Sequence, residues 1–238
     1  MEQVSGALKT LQQALSDFWY SWVVLVLINV LWLLCCVTII LAPPATLGMF
    51  YATNELANGR GVGYADFFAG LRRYFKISWL WGIFNIIAAF SVWLNFQFYG
   101  RIEESWSLIL LFFTIVIALT WVMVQLFAAA YLIEQERKHL GVAMKNALFT
   151  LLATPLYSVL LALFIGTFIY LSMAQAIAVL LGAPVMVTLL SNRAVLNRLD
   201  AFGLRERPSD APASGAAFPL HDVKPVDKTA KDRDESQA

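Results

Sequence analysis

The chain predicts an all-α fold: a polytopic transmembrane helical bundle of about five spans, with amphipathic helices at the membrane interface. Three observations lead there. Apolar residues make up 60% and charged residues 14% of the 238 positions, where a soluble domain is roughly a quarter charged. Charges are segregated along the chain, so several runs long enough to cross a bilayer contain none. The links between those runs alternate between rich and poor in Lys and Arg, as expected of segments that cross a bilayer in turn.

Residues 1–17 come first. Val4, Leu8, Leu11, Leu15 and Phe18 recur at spacings of four and three, with Lys9, Gln12, Gln13 and Asp17 on other faces, which predicts an amphipathic helix lying at the membrane surface. From Phe18 to Leu41 no charge occurs over 24 residues. As a helix this run is ~36 Å long and exceeds the ~30 Å hydrocarbon core. Span one is therefore placed at 18–41, with Phe18, Trp19, Tyr20 and Trp22 at headgroup level. The run is about twice the apolar length of a cleavable leader and no small-residue cleavage site follows, so the N-terminus is expected to stay attached.

Residues 42–76 form a cytoplasmic elbow. Pro43 and Pro44 are expected to stop the preceding helix, and Ala45–Asn58 resumes as a short helix that Gly59 closes. Gly59-Arg-Gly-Val-Gly63 lacks the Lys-Ser/Thr of a phosphate loop and reads as a flexible break between two surface helices. The second of these gathers Tyr64, Phe67, Phe68, Leu71 and Phe75 within roughly 100° of one another, leaving Arg72, Arg73 and Lys76 on the adjoining and opposite sides. Such a basic amphipathic helix suits an anionic inner leaflet. Arg60, Arg72, Arg73, Phe75 and Lys76 are the candidate contacts to lipid or to a partner.

Spans at 77–99 and 106–133 follow, separated by a link carrying Arg101, Glu103 and Glu104. After a hydrophilic link at 134–145, the 47 residues from Asn146 to Asn192 contain no charged residue or histidine. They would reach ~70 Å as one helix and so must fold back. Spans are placed at 152–172 and 175–191, with Pro155 bending or starting the fourth and Pro184 inside the fifth. The membrane domain then runs from 18 to 204.

Lys and Arg number four in the 42–76 link and three in the 134–145 link, against one in 100–105 and none in the last hairpin. Five spans with the N-terminus outside and the C-terminus cytoplasmic, in the cell (inner) membrane, satisfy every link. Residues 205–238 are rich in proline and mixed charge and cannot bury enough surface to offset the entropy of ordering, so a disordered tail is expected.

These spans hold no ionisable side chain, which disfavours ion or proton coupling. His139 and His221 fall outside them, and no HExxH motif or paired intramembrane Asp occurs. No catalytic residue is assigned, and the chain reads as non-enzymatic. No cofactor or metal site is assigned either, since Cys35 and Cys36 are adjacent and point about 100° apart on a helix, where they pack as small residues. A nucleic-acid partner is not expected. The neutral polar residues Asn85, Ser91, Asn95 and Gln125 predict interhelical hydrogen bonds of ~0.6 kcal/mol each. A polar pathway for an uncharged solute, formed by a homo-oligomer, is the alternative.

A further pattern unites the first half of the chain. Asn29-x-x-Trp32, then Ala42-Pro43-Pro44-Ala45-Thr46, a turn at Gly59, and Phe67-Phe68-x-x-x-Arg72-Arg73-x-Phe75-x-x-Ser78 resemble the YesL-like family of bacterial integral membrane proteins of unknown function. Met144-Lys-Asn-Ala-Leu148 fits the same pattern, and the resemblance covers about Asp17 to Arg205. Members are often encoded beside carbohydrate uptake systems. The resemblance therefore implies an accessory role in sugar import, with an ATP-driven sugar permease or membrane lipids as partners, and supplies no active residues.

Overall fold

The computed structural model describes residues 2–175 and 182–204, and these are all-helical apart from short links. Eight helices are described: α1 (Glu2–Val37), α2 (Ala42–Ala57), α3 (Tyr64–Arg73), α4 (Phe75–Tyr99), α5 (Ser105–Glu134), α6 (Leu140–Ala153), α7 (Pro155–Ala174) and α8 (Ala183–Ala201).

The amphipathic segment and the first apolar run are continuous in α1, broken only by a non-helical Ser21 at φ −115° and ψ 18°. Ahead of that kink the small and polar face, Ala7, Thr10 and Ala14, is buried, while Val4, Leu8 and Leu15 stay exposed. The buried face docks on α7 and α8. Thr10 shares a 2.9 Å hydrogen bond with the Tyr157 hydroxyl, Asn197 donates to Thr10 and Gln13 at 2.8 Å each, and Asp17 pairs with Arg193 at 2.5 Å. Val4, Leu8 and Leu15 are thereby left open for lipid, while Leu11 and Phe18 of the same stripe pack against the core.

Helix α2 occupies the centre, and here the elbow departs from expectation. Its first helix is not on the surface: Ala45, Leu47, Met49, Phe50 and Ala52 are all 1% exposed or less. It packs against α1, α3, α4, α5 and α8. Pro43 and Pro44 start this helix and do not stop the one before, which has already ended at Val37. Proline suits the first helical turn because the N–H it lacks would have no partner within the helix.

Close approach explains how one helix touches so many. Gly48 lies where an added Cβ would come within 2.8 Å of the Phe67 carbonyl oxygen, and Gly70 where it would meet the Tyr51 Cβ at 2.6 Å and Gly48 Cα at 3.0 Å. Helices α2 and α3 therefore cross through paired glycines, the small-residue contact that membrane bundles favour. Phe67 is fully buried by that crossing, while Phe68 points out at 38% exposure.

Three helices, α1, α4 and α5, are long and apolar enough to cross a membrane, and a fourth crossing is reached if α6 and α7, bent by 108° at Thr154, count as one. The expected count of five is not reached among the described residues. Within the 47 charge-free residues Pro155 starts α7, one of the two roles expected of it, and Pro184, expected inside a span, lies in the first turn of α8. Part of the expected fifth span lies outside the described residues. Its described part belongs to a helix that continues through Arg193, Arg198 and Asp200 and is buried from Val185 to Asn192. Hydropathy does not separate burial in protein from burial in lipid, so this described part suits either setting. The expected tail, 205–238, lies outside the described residues.

Gly70→Ala should therefore force α2 and α3 apart and destabilise the fold by about 1–3 kcal/mol, the usual cost of an overpacked contact. Thermal unfolding in detergent measures it, and an unchanged midpoint would contradict the close crossing.

Candidate functional site

At the C-terminal end of α2, the α3–α4 junction and the end of α5 surround a polar cleft of about 400 Å³. Each wall follows from local sequence. Asn54 on α2 and Asn58 at its C-cap are one turn apart and project to the same side. Helix α3 begins at Gly63, whose amide donates to Asp66 Oδ2 at 2.8 Å, and it breaks at Tyr74, which becomes the cap of both α3 and α4. Helix α5 ends in Glu134 and the chain then turns back, carrying Lys138 over the same opening.

Glu134 anchors the floor. Its Oε1 accepts from Asn54 Nδ2 at 2.7 Å and from Asn58 Nδ2 at 3.0 Å, so the carboxylate is held by two amides. Lys138 Nζ donates to the Ile133 carbonyl at 2.7 Å and to that of Gln135, satisfying oxygens that the end of α5 leaves open. On the rim, Arg60 Nε meets Glu55 Oε2 at 2.6 Å. Between them stands Tyr74, buried, with the Arg73 guanidinium 5.9 Å and the Lys138 ammonium 5.5 Å from its ring centre. Arg73 also lies 6.0 Å from the Tyr51 ring. These contacts fall at the outer limit of cation–π attraction.

Three cations, Arg60, Arg73 and Lys138, and two carboxylates, Glu55 and Glu134, line the cleft. Burial lowers the Lys138 pKa and the nearby Arg73 charge lowers it further, with Glu134 opposing. Burial pushes the Tyr74 phenol up to about 12, against the pull of Arg73. The Tyr74 hydroxyl is buried and has no hydrogen-bond partner among the described residues. The exposed Arg73 guanidinium, the half-buried Lys138 ammonium and the buried Tyr74 hydroxyl thus line one cleft, where an anionic oxygen would find donors.

Of the candidate contacts, Arg60 and Arg73 are brought together here. Arg72, Phe75 and Lys76 are exposed and lie outside the lining. Glu134, Lys138, Asn54 and Tyr74 were missed by sequence reading. The asparagine pair spaced by four on a helix was the one local signal; the contribution of α5 comes from about 80 residues away.

The intramembrane polar residues divide in two. Asn85 meets Trp121 at 3.3 Å and Gln125 at 3.5 Å, joining α4 to α5. Ser91 and Asn95 bond back to their own helix, at the Ile87 and Ser91 carbonyls. The family-pattern residues pack rather than line the cleft. Trp32 Nε1 donates to Thr46 Oγ1 at 3.1 Å, Asn29 and Pro44 are buried, and Pro43 sits against Gly82.

Two outcomes follow. Removing the acceptor in Glu134→Ala strands the buried Asn54 amide, whereas Asn58 keeps its bonds to Asn54, and should cost about 1–3 kcal/mol, while Glu134→Gln keeps one acceptor oxygen and should cost less; chemical or thermal denaturation of both variants ranks them. Because its folded pKa is lowered, Lys138 disfavours the folded state while protonated, and stability from this group should rise as pH climbs through that lowered value toward the ordinary one. Competitive acylation over an alkaline pH series should find Lys138 titrating below the ordinary lysine value; titration at or above that value would refute the desolvated position.

Comparison with curated proteins and with solved structures gives no match. Residues 25–96, from the second half of α1 through α2 and α3 into α4, match the model of a family described as DUF624, a protein of unknown function.

Proposed function

We propose that this chain is a non-enzymatic, multi-pass membrane accessory protein whose elbow cleft and neighbouring basic helix hold an anionic group at the inner membrane surface. The carrying observation is the convergence of Arg73, Lys138 and the unpartnered Tyr74 hydroxyl at the end of a lipid-suited helix. Exposed Arg72 and Lys76 extend the same charge outward next to Phe75. Lys and Arg favour the cytoplasmic side, which supports placing this face, and the C-terminal end of α8, inside. Phosphate oxygens of anionic lipid headgroups or carboxylates of a partner protein would both suit the cleft.

In this reading the protein is YesL-like and its partner is an ATP-driven sugar permease, an assignment supported by the family resemblance and not by the geometry. Extraction in mild detergent followed by phosphorus assay and partner copurification tests it. Wild type should retain anionic lipid or a partner, and Arg73→Glu combined with Lys138→Glu should lose most of either. A chain that emerges alone, with Arg72→Glu/Arg73→Glu leaving sugar uptake untouched, would defeat the proposal.

A further inference from the structure

The second half of α1 packs against α2, fastened by Trp32 to Thr46. The turn between them lies at Thr38–Leu41. How far this pair reaches is fixed by α4. Tyr51 of α2 packs on Tyr74, with ring centres 6.0 Å apart, just before α4 begins, and Pro43, at the other end of α2, packs on Gly82. Helix α2 thus accompanies only the first two turns of α4, and Tyr99 lies ~25 Å further along the α4 axis. The far side of the membrane is marked there by Tyr99, Trp106 and the charges of Arg101, Glu103 and Glu104. The α1–α2 turn stops well short of it.

The turn itself is made for hydrocarbon. Val37, Ile39 and Ile40 are 81%, 77% and 63% exposed, and no charge lies between Phe18 and Asn54. An irregular turn exposed to lipid is excluded by its unpaired amides unless they are satisfied internally. Here they are. Thr38 N–H donates to the Cys35 carbonyl, Ile39 to Cys36, Ile40 to Thr38, Ala42 to Ile39 and Ala45 to Leu41, at 2.5–3.2 Å. Leu41 N–H donates to the Thr38 hydroxyl at 3.3 Å. Residues 43 and 44 are prolines and have no N–H to satisfy. From Thr38 to Ala45 every amide is paired or absent, and the closure is tight enough to place Ile39 at φ 58°, a conformation β-branched residues rarely adopt.

We propose that α1 and α2 form a re-entrant hairpin: its tip is inserted among the acyl chains of the leaflet next to the elbow and does not cross the membrane. The N-terminal half of α1 then lies on the same side as the elbow, its exposed Val4, Leu8 and Leu15 turned to that surface. The lipid interior is the partner of the tip. This replaces the crossing of span one, and the external N-terminus, that charge counting favours.

Full-length protein with Cys35→Ala and Cys36→Ala, reconstituted in sealed vesicles, provides the test. Ser5→Cys, Gly61→Cys, Ile40→Cys and Arg101→Cys are introduced singly and exposed to a membrane-impermeant maleimide from one side and then the other. Positions 5 and 61 should react from the same side and position 101 from the opposite side. Position 40 should be protected from both sides until detergent is added, and a nitroxide attached there should collide with oxygen and be shielded from a water-soluble nickel reagent. Labelling of position 40 from the side of position 101, or reaction of positions 5 and 61 from opposite sides, overturns the proposal. All four positions are exposed; the Gly61 φ of 75° strains a cysteine there, but in a surface turn with nothing within 4 Å of the added Cβ.

Discussion

The close crossing of α2 and α3 at Gly48 and Gly70 is the constraint on which the remaining packing depends. With a side chain at either glycine, α3 would stand off, Phe67 would lose its pocket and Tyr74 would not reach Tyr51. Lipid offers no hydrophobic drive for one helix to leave it for another, so van der Waals fit and hydrogen bonds hold the bundle. Both converge on α2. Asn192 of α8 donates to the Phe50 carbonyl and to Thr53 at 2.9 Å each, and Thr53 reaches Thr188 at 3.2 Å. Glu134 of α5 takes the amides at its far end.

The cleft is a by-product of how these helices terminate. The ends of α2, α3 and α5 all line it, and helix ends carry unsatisfied backbone groups and partial charge. Lys138 answers the carbonyls of α5, Asp66 answers an amide of α3, and Arg73 closes the last turn of α3 with the favourable sign. What remains unanswered is the buried Tyr74 hydroxyl, set between two cations. A site made in this way needs little sequence of its own, because its members are already placed by capping.

Sequence patterning made the helical class, the lipid setting and the basic segment after Gly59 legible, since charge segregation and period are local properties. The role of Ala42–Ala57 was not legible. Its Thr, Asn and Glu residues suggest a surface helix, yet Thr53 and Asn54 are buried because their partners arrive from α8 and α5, more than 75 residues later. Val185–Asn192, an apolar run as suitable for a protein interior as for lipid, is likewise buried among partners distant in sequence. Within the site, Arg60 and Arg73 could be singled out from charge alone, whereas Glu134 and Lys138 required the return of α5. Pro43 and Pro44 were read as terminators because the pattern around them suits either end of a helix; Val37 having already closed α1 decides the matter.

The bonds between α2 and α8 also impose an order on biogenesis. Thr53 and the Phe50 carbonyl meet Asn192 across about 140 intervening residues, so during synthesis this polar seam must wait until nearly the whole helical domain has left the ribosome. Contacts of such sequence separation form late, and a nascent chain whose inner helix still lacks its final neighbour presents polar groups that a chaperone or insertase would recognise as unfinished.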